Sequence, residues 1–306
     1  MRRIAVINQK GGVGKTTTAV NLGAALARAG NRVLLIDLDP QAHLSLHVGQ
    51  DPAGGAPGTY ELLTAGSAAS IAKVRHRVGS NLWVVASSID LAAAEVELVS
   101  VVGREVILRD LLDQHVGAGG PPGRGSQYDY VLIDCPPSLN VLTLNGLCAA
   151  REVFIPLQPH YLALQGLSKL LETVSLVSRR INPELKVSGV VVCMYDAGTK
   201  LATEVIEDVR SFLEAARESG LPWSAARLLA TFIRRNIKLA EAPSYGKSIF
   251  EYAPDSNGAR DYDQLAAEVA AMTAEAPPVS PVPSAPTVEA PAGEAVAQEA
   301  AAPEVV

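Results

Sequence analysis

"RRIAVINQKGGVGKTTT", residues 2 to 18, decides how the rest of the chain is read. Arg3-Ile4-Ala5-Val6-Ile7 is a short apolar run suited to a strand buried on both faces. Glycines, a lysine and threonines follow at once, and then a segment with helical periodicity. Glycines between a strand and a helix let backbone N–H groups curl around phosphate oxygens, while the helix N-terminus adds partial positive charge. The stretch therefore reads as a phosphate loop. The ordinary Gly-x-x-x-x-Gly-Lys-Thr pattern would put glycine at position 9, where this chain has Gln9, and Lys10 stands beside the gap. One loop does not need both Lys10 and Lys15. A cation placed at a phosphate site calls for a role of its own, against the blander reading of a solvated loop lysine.

Outward from this stretch, further apolar runs alternate with amphipathic segments. Val33–Ile36, Tyr130–Ile133, Val153–Ile155 and Val187–Val192 read as buried parallel strands. Helices are expected over Thr16–Ala29, ended by Gly30, and Leu201–Glu218, ended near Gly220. A packed helix is expected to close the fold within 251–272. The alternation predicts an α/β fold, a doubly wound, mostly parallel sheet flanked by helices. "GAGGPPGRGSQ", 117–127, reads as a loop.

Composition narrows the function classes. The chain of 306 residues is 48% hydrophobic and 19% charged, as a globular α/β protein is. From Pro277 to Val306 it holds seven prolines, four glutamates and no lysine or arginine, so it cannot bury enough surface to offset its ordering entropy. The expected division is a folded domain over 1–274 and a disordered Pro/Ala/Glu-rich tail over 275–306. Removing those four acids from the total of 32 leaves 28 against 26 bases, so the folded part does not repel an anionic partner strongly. Cys135, Cys148 and Cys193 form no CxxC pair and read as buried apolar residues. No run is apolar enough for a signal peptide or a spanning helix, which predicts a cytoplasmic protein. Five scattered histidines show no metal-ligand spacing.

Two further stretches join the loop. Asp37-Leu38-Asp39-Pro40-Gln41 and Asp134-Cys135-Pro136-Pro137-Ser138 each follow a strand, at the sheet edge where open α/β folds bind ligands. Carboxylates there can hold Mg²⁺ through water or orient an attacking water. A single such aspartate would more often cap a helix; two beside a phosphate loop favour a site.

With these residues in place, the sequence closely resembles the ParA/Soj/MinD family of P-loop NTPases with a deviant Walker A motif, and within it the ParA/Soj partition branch. The resemblance rests on "KGGVGKTT" (10–17), "DLDPQ" (37–41), "DCPPSLNVLTLN" (134–145) and "RRNIKLAEAPSYGKSI" (234–249), supported by "AEVELV" (94–99). It implies ATP and Mg²⁺ as cofactors and a homodimer formed on ATP binding. In that picture Lys10 reaches phosphate on the other subunit, and Lys15 holds phosphate in its own. Gly11, Gly12, Val13 and Gly14 wrap the phosphates, Thr16 ligates Mg²⁺ and Thr17 contacts the α-phosphate. Asp39 positions the hydrolytic water, Asp134 stands near Mg²⁺ with Asp37 assisting, and Asn236 reads adenine. Arg234 departs from the family's usual proline beside that asparagine, and Gly198 from its usual arginine, with Lys200 two residues on.

The same resemblance directs attention to Arg227, Arg234, Arg235, Lys238 and Lys247, five bases against Glu241. It implies non-specific binding of double-stranded DNA through phosphates, a nucleoid-associated location, and a ParB-like or other adaptor that stimulates hydrolysis. Two other classes stay open: a membrane-associated spatial regulator of the MinD kind, and a metabolic or iron–sulfur carrier ATPase. No membrane partner is expected, because the closing segment has no base after Arg260. The absent cysteine pair counts against the carrier.

Overall fold

Each long apolar run of the sequence becomes a strand with side chains on two covered faces. The structure, a computed structural model, describes residues 1–117 and 127–274. Its strands are β1 (Arg2–Val6), β2 (Val33–Asp37), β3 (Arg75–Arg77), β4 (Leu82–Val85), β5 (Tyr130–Asp134), β6 (Glu152–Leu157), β7 (Lys186–Tyr195), β8 (Arg227–Leu228) and β9 (Ile233–Arg234). They form one sheet in the order β3-β4-β2-β5-β1-β6-β7-β8, with β9 also pairing β7. All pairings are parallel except β3 with β4. The helices are α1 (Lys15–Arg28), α2 (His43–His47), α3 (Thr59–Thr64), α4 (Ile71–Val74), α5 (Leu91–Glu97) and α6 (Ile107–Gly117). They continue with α7 (Val141–Ala149), α8 (Ala163–Arg180), α9 (Lys200–Ala215), α10 (Ile237–Glu241), α11 (Ile249–Tyr252) and α12 (Asn257–Ala274).

Period-two alternation sorts the core into two layers. Ile4 and Val6, Val33 and Leu35, Tyr130 and Leu132 face one side, where α1 and α12 pack. Ala5, Leu34, Ile36, Val131 and Ile133 face the other, with buried residues of α6, α7 and α8. This is the doubly wound arrangement that the sequence predicts. All three cysteines are buried and free, as expected.

The structure refines several boundaries. The first helix begins at Lys15 and ends at Arg28, with Gly30 at φ +93° behind it. The helix at Lys200 stops at Ala215, three residues short of the expected end. The closing segment is two helices, not one, since Pro254 denies an N–H to any continuous ladder between α11 and α12. Residues 118–126, most of the expected loop, and the tail from 275 lie outside the described residues. Among the described residues no helix is long and apolar enough to cross a membrane.

Candidate nucleotide site

Three adjacent strands end together. Parallel register sets Val6 of β1 opposite Asp134 of β5, and Asp37 of β2 opposite the same Asp134. Neighbouring strands lie about 4.8 Å apart, so the two carboxylates and the start of the phosphate loop share one edge by pairing alone. Order in the sheet also matters: β1 sends its chain to β2 on one side, while β6 and β7 build outward on the other, making this the topological switch point.

The loop itself is shaped by two glycines with φ of +72° (Gly12) and +95° (Gly14), values an L side chain resists. A Cβ on Gly11 or Gly12 would meet nothing within 4 Å, so the cradle above them is open. The loop floors a recess of about 970 Å³, shared with Lys15, Thr16, Thr17, Asp39 and Glu95. Glu95, from the AEVELV stretch, accepts a hydrogen bond from Asn140, whose own carbonyl caps α7 at Leu142 and Thr143. A second recess of about 420 Å³ adjoins it, sharing Gly14, Thr17 and Met194 and walled by Ile233, Asn236 and Leu239. One pocket is suited to phosphates and the other, mostly apolar, to a flat base. Met194 between them has φ +54°, backbone strain placed at the junction.

The two carboxylates differ. Asp37 is fully buried and accepts three hydrogen bonds, from Asp39 N at 3.1 Å, Ser45 N at 2.9 Å and Ser45 Oγ at 2.7 Å. Burial still pushes its carboxyl up to about 6, with the Ser45 bonds pulling the other way. Asp134 is 1% exposed and neither oxygen has a hydrogen-bond partner. Burial first, then the Asp37 charge, hold it well above the usual carboxylate range, tempered by the nearby Thr16 hydroxyl and Lys15. Lys15, 8% exposed, donates to Lys10 O at 3.3 Å; burial lowers its ammonium while Asp134 and Asp39 raise it.

A buried carboxylate beside a threonine and a lysine fits a Mg²⁺ ion, which would supply the positive charge that the carboxylate lacks. Among the described residues no group of three or more His, Cys, Asp or Glu is placed to hold a metal ion by itself. Mg²⁺ commonly takes one or two carboxylates with waters and substrate phosphates, and Asp134, with the Thr16 hydroxyl near it, would supply the protein share. Asp37, with three of its roughly four lone-pair sites taken up by Ser45 and Asp39, fits a positioning part better than a ligand's part. Asp39 Oδ1 accepts from Gln41 N at 2.9 Å, which holds its loop at the recess wall.

The expected base reader and the basic run are placed as follows. Asn236 lines the apolar pocket, though its side-chain carbonyl caps α10 by accepting from Lys238 N at 2.9 Å. Arg234 is bidentate to Asp261, which is 3% exposed in its side chain, so most of its charge is compensated. Lys238 pairs with Glu241 at 2.9 Å and lies over the Tyr252 ring. Arg235 and Lys247 are exposed. Arg227 lies opposite Gly189 and Arg234 opposite Tyr195 on β7, about 20 Å apart along the strand, so Arg227 stands away from the other four. Sequence reasoning missed two residues. Ser45 holds Asp37, and His160 lies 2.7 Å from Lys10 Nζ; both contacts join segments that no local motif links.

Comparison with known proteins agrees with this geometry. A family profile described as an AAA domain, AAA_31, matches residues 1–187. The sporulation initiation inhibitor protein Soj of Bacillus subtilis (strain 168) is 44% identical over 268 residues, 88% of this chain and 98% of that protein. The chromosome-partitioning ATPase Soj of Treponema pallidum (strain Nichols) is 44% identical over 274 residues, 90% of this chain and 99% of that one. A crystal structure described as cobyrinic acid a,c-diamide synthase from Mycobacterium smegmatis, with bound ATP analogue and magnesium, superposes with a TM-score of 0.71. It is 36% identical, covering 90% of this chain and 96% of that chain. With relatives this similar over nearly their whole length, the chain belongs to the Soj/ParA group of the AAA-domain family.

Proposed function

We propose that this chain is a partition ATPase: it binds and hydrolyses ATP with Mg²⁺, pairs with a second copy while ATP is bound, holds duplex DNA non-specifically as that dimer, and lets go when a ParB-like adaptor stimulates hydrolysis. The observation that carries the reading is Asp134, buried to 1% exposure with only the Thr16 hydroxyl and Lys15 of the glycine loop to offset its charge. A bound Mg²⁺ would supply the positive charge that this carboxylate and the phosphates both lack. In this reading Lys15 and the loop amides bind phosphate, Thr16 and Asp134 hold the ion's protein side, Asp39 orients water, and Asn236 lies against the base. Lys10 belongs to the partner's site.

The chromosome-partitioning name of the Treponema relative supports partition, whereas the diamide synthase name of the similar structure points to another activity. A small-molecule amidating enzyme should need its acid substrate for turnover, whereas a partition ATPase should turn over slowly alone and faster with its adaptor. A membrane role is less well supported: from Asn257 onward α12 carries Arg260 against Asp261, Asp263 and Glu268, the wrong sign for an anionic bilayer.

Mixing two inactive variants tests the arrangement. Asp39→Ala should bind ATP and remain dimeric, because the phosphate contacts persist. Lys10→Ala should bind ATP through Lys15 but fail to complete a partner's site. In a mixed dimer the site with intact Asp39 receives intact Lys10, so ATPase activity should partly return under subunit exchange with adaptor present. Demonstrated heterodimers without any recovery would mean that Lys10 works within its own subunit.

A further inference from the structure

Lys10 does not point into the phosphate recess of its own chain. Its side chain lines a separate small recess with His160, Gln158 and Gly166, and its Nζ lies 2.7 Å from His160 Nε2. The other ring nitrogen is also engaged. Leu162 N–H, at the open N-terminus of α8, donates to His160 Nδ1 at 3.2 Å, while His160 O accepts from Ala163 N at 2.9 Å. His160 thus caps the helix with both its backbone and its ring.

That leaves a conflict of donors. A neutral imidazole offers one acceptor and one N–H. If Nδ1 accepts from Leu162, the ring proton sits on Nε2 and faces an ammonium that has only protons to give. If the ring adopts the other tautomer to serve Lys10, the Leu162 N–H loses its acceptor. A protonated ring serves neither and repels Lys10. The contact is close, and it cannot be satisfied at both ends at once.

We propose that His160 is a positioning residue for Lys10: in the single chain it parks the ammonium away from the chain's own phosphate recess, in a contact frustrated enough to be given up readily when two ATP-bound copies meet. The inference rests on the reading that Lys10 acts in the partner's site. Tyr161 and Leu162, beside the contact, are 84% and 56% exposed, so this face is open in the single chain.

The device carries a pH signature. Of the residues lining this recess, from the phosphate loop, the end of β6 and the start of α8, only Lys10 and His160 carry ionisable side chains. The imidazole is lowered from its ordinary 6.5 by burial first and by Lys10 second. When Lys10 leaves, the second cause vanishes and the ring binds protons more readily. Departure is therefore coupled to proton uptake, and falling pH favours it between the value that burial alone sets and the lower value held while Lys10 is in place.

Histidine NMR titration of the full chain tests this in three arms. In nucleotide-free wild type, His160 should titrate below 6.5, and Lys10→Ala should raise it. In Asp39→Ala with Mg-ATP it should rise as well, though Lys10 is still present, because the lysine has moved. An unchanged His160 in Lys10→Ala, or in a proven Asp39→Ala dimer, overturns the proposal. Absence of that dimer would refute the assembly reading instead, and the Lys10→Ala arm still decides the contact. Substitution gives an independent readout. His160→Leu should tighten Mg-ATP-dependent dimerisation roughly fivefold over His160→Gln, whose carbonyl can hold the ammonium without conflict, and both should lose wild type's strengthening at lower pH. Equal dimerisation by the two, with the pH dependence intact, overturns it too.

Discussion

Replacing Asp134 by asparagine should make the nucleotide-free protein more stable, and a site argument rarely forces that sign. Asp134 is 1% exposed, has no hydrogen-bond partner at either oxygen, and shares its surroundings with Asp37 and Asp39. Without a cation the fold either buries that charge or protonates the group. Protonating a carboxyl with an ordinary value of 3.8 at pH 7 costs 1.36 kcal/mol for each of 3.2 pH units, which caps the penalty at about 4 kcal/mol. The Thr16 hydroxyl and Lys15 reduce it, so a gain of about 1 to 3 kcal/mol is expected for Asp134→Asn. In a domain of this size that raises the melting temperature by roughly 3 to 10 °C.

The pH dependence fixes the cause. An acid raised in the folded state binds more protons there than in the unfolded chain, so wild type loses stability as pH climbs from about 4 toward the raised value. The advantage of Asp134→Asn should therefore shrink as pH falls toward 4. Asp37, pushed up to about 6, titrates inside the same window and is coupled to Asp134, so the difference between the two proteins reports the loss of Asp134 together with its coupling to Asp37. Thermal melts in EDTA at pH 5 and 7.5 give the first comparison, and melts with Mg-ATP the second. Wild type should gain about 3 kcal/mol at a hundredfold excess of nucleotide over its dissociation constant, and the variant should gain no more with Mg²⁺ than without. If Asp134→Asn melts below wild type in EDTA at pH 7.5, Asp134 has a partner in solution and the orphan-carboxylate reasoning fails.

Two further outcomes follow from the same geometry. Ser45→Ala removes the hydroxyl that donates to Asp37 at 2.7 Å and accepts from Ser87 N at 2.8 Å; a loss of about 2 to 3 kcal/mol is expected in denaturant melts, with Asp37 rising further above 6. Reversing Arg235 and Lys238 to glutamate should abolish duplex binding with ATP while sparing dimerisation, and wild-type binding should weaken steeply with salt; gel shifts unchanged by the double variant would move the DNA face elsewhere.

What was legible in the sequence is what neighbours along the chain impose. The central strands announce themselves because both their faces are covered, so their apolar runs are continuous, and the loop between β1 and α1 because its glycines must lie where φ is positive. The edge was harder. Arg75–Arg77 and Leu82–Val85 pair antiparallel at the margin with mixed composition, and β8 and β9 have two residues each, too short for any period to show. Helix α8, Ala163–Arg180, is strongly amphipathic but has a glycine at its first turn and an apolar Leu162 at its N-cap. At the site, Asp37 and Asp134 were visible as strand ends, yet their opposite environments were not, because Ser45 reaches only the first of them.

The least legible contacts join distant segments that share no motif. Gly49, at φ +77°, lies so close to Gly246, at φ +61°, that a Cβ on the latter would come within 2.9 Å of Gly49 Cα. His47, buried in the helix before Gly49, hydrogen-bonds the backbone at Lys247. The segment that follows Asp39 is thereby pressed, backbone on backbone, against the segment that presents Lys247. Neither glycine could be assigned from a turn alone: each is required by the other, across nearly two hundred residues of chain. A shift that carried Gly49 along with the Asp39 loop would press directly on the backbone at Gly246, next to Lys247, and the two segments lie this close only because both glycines lack a side chain.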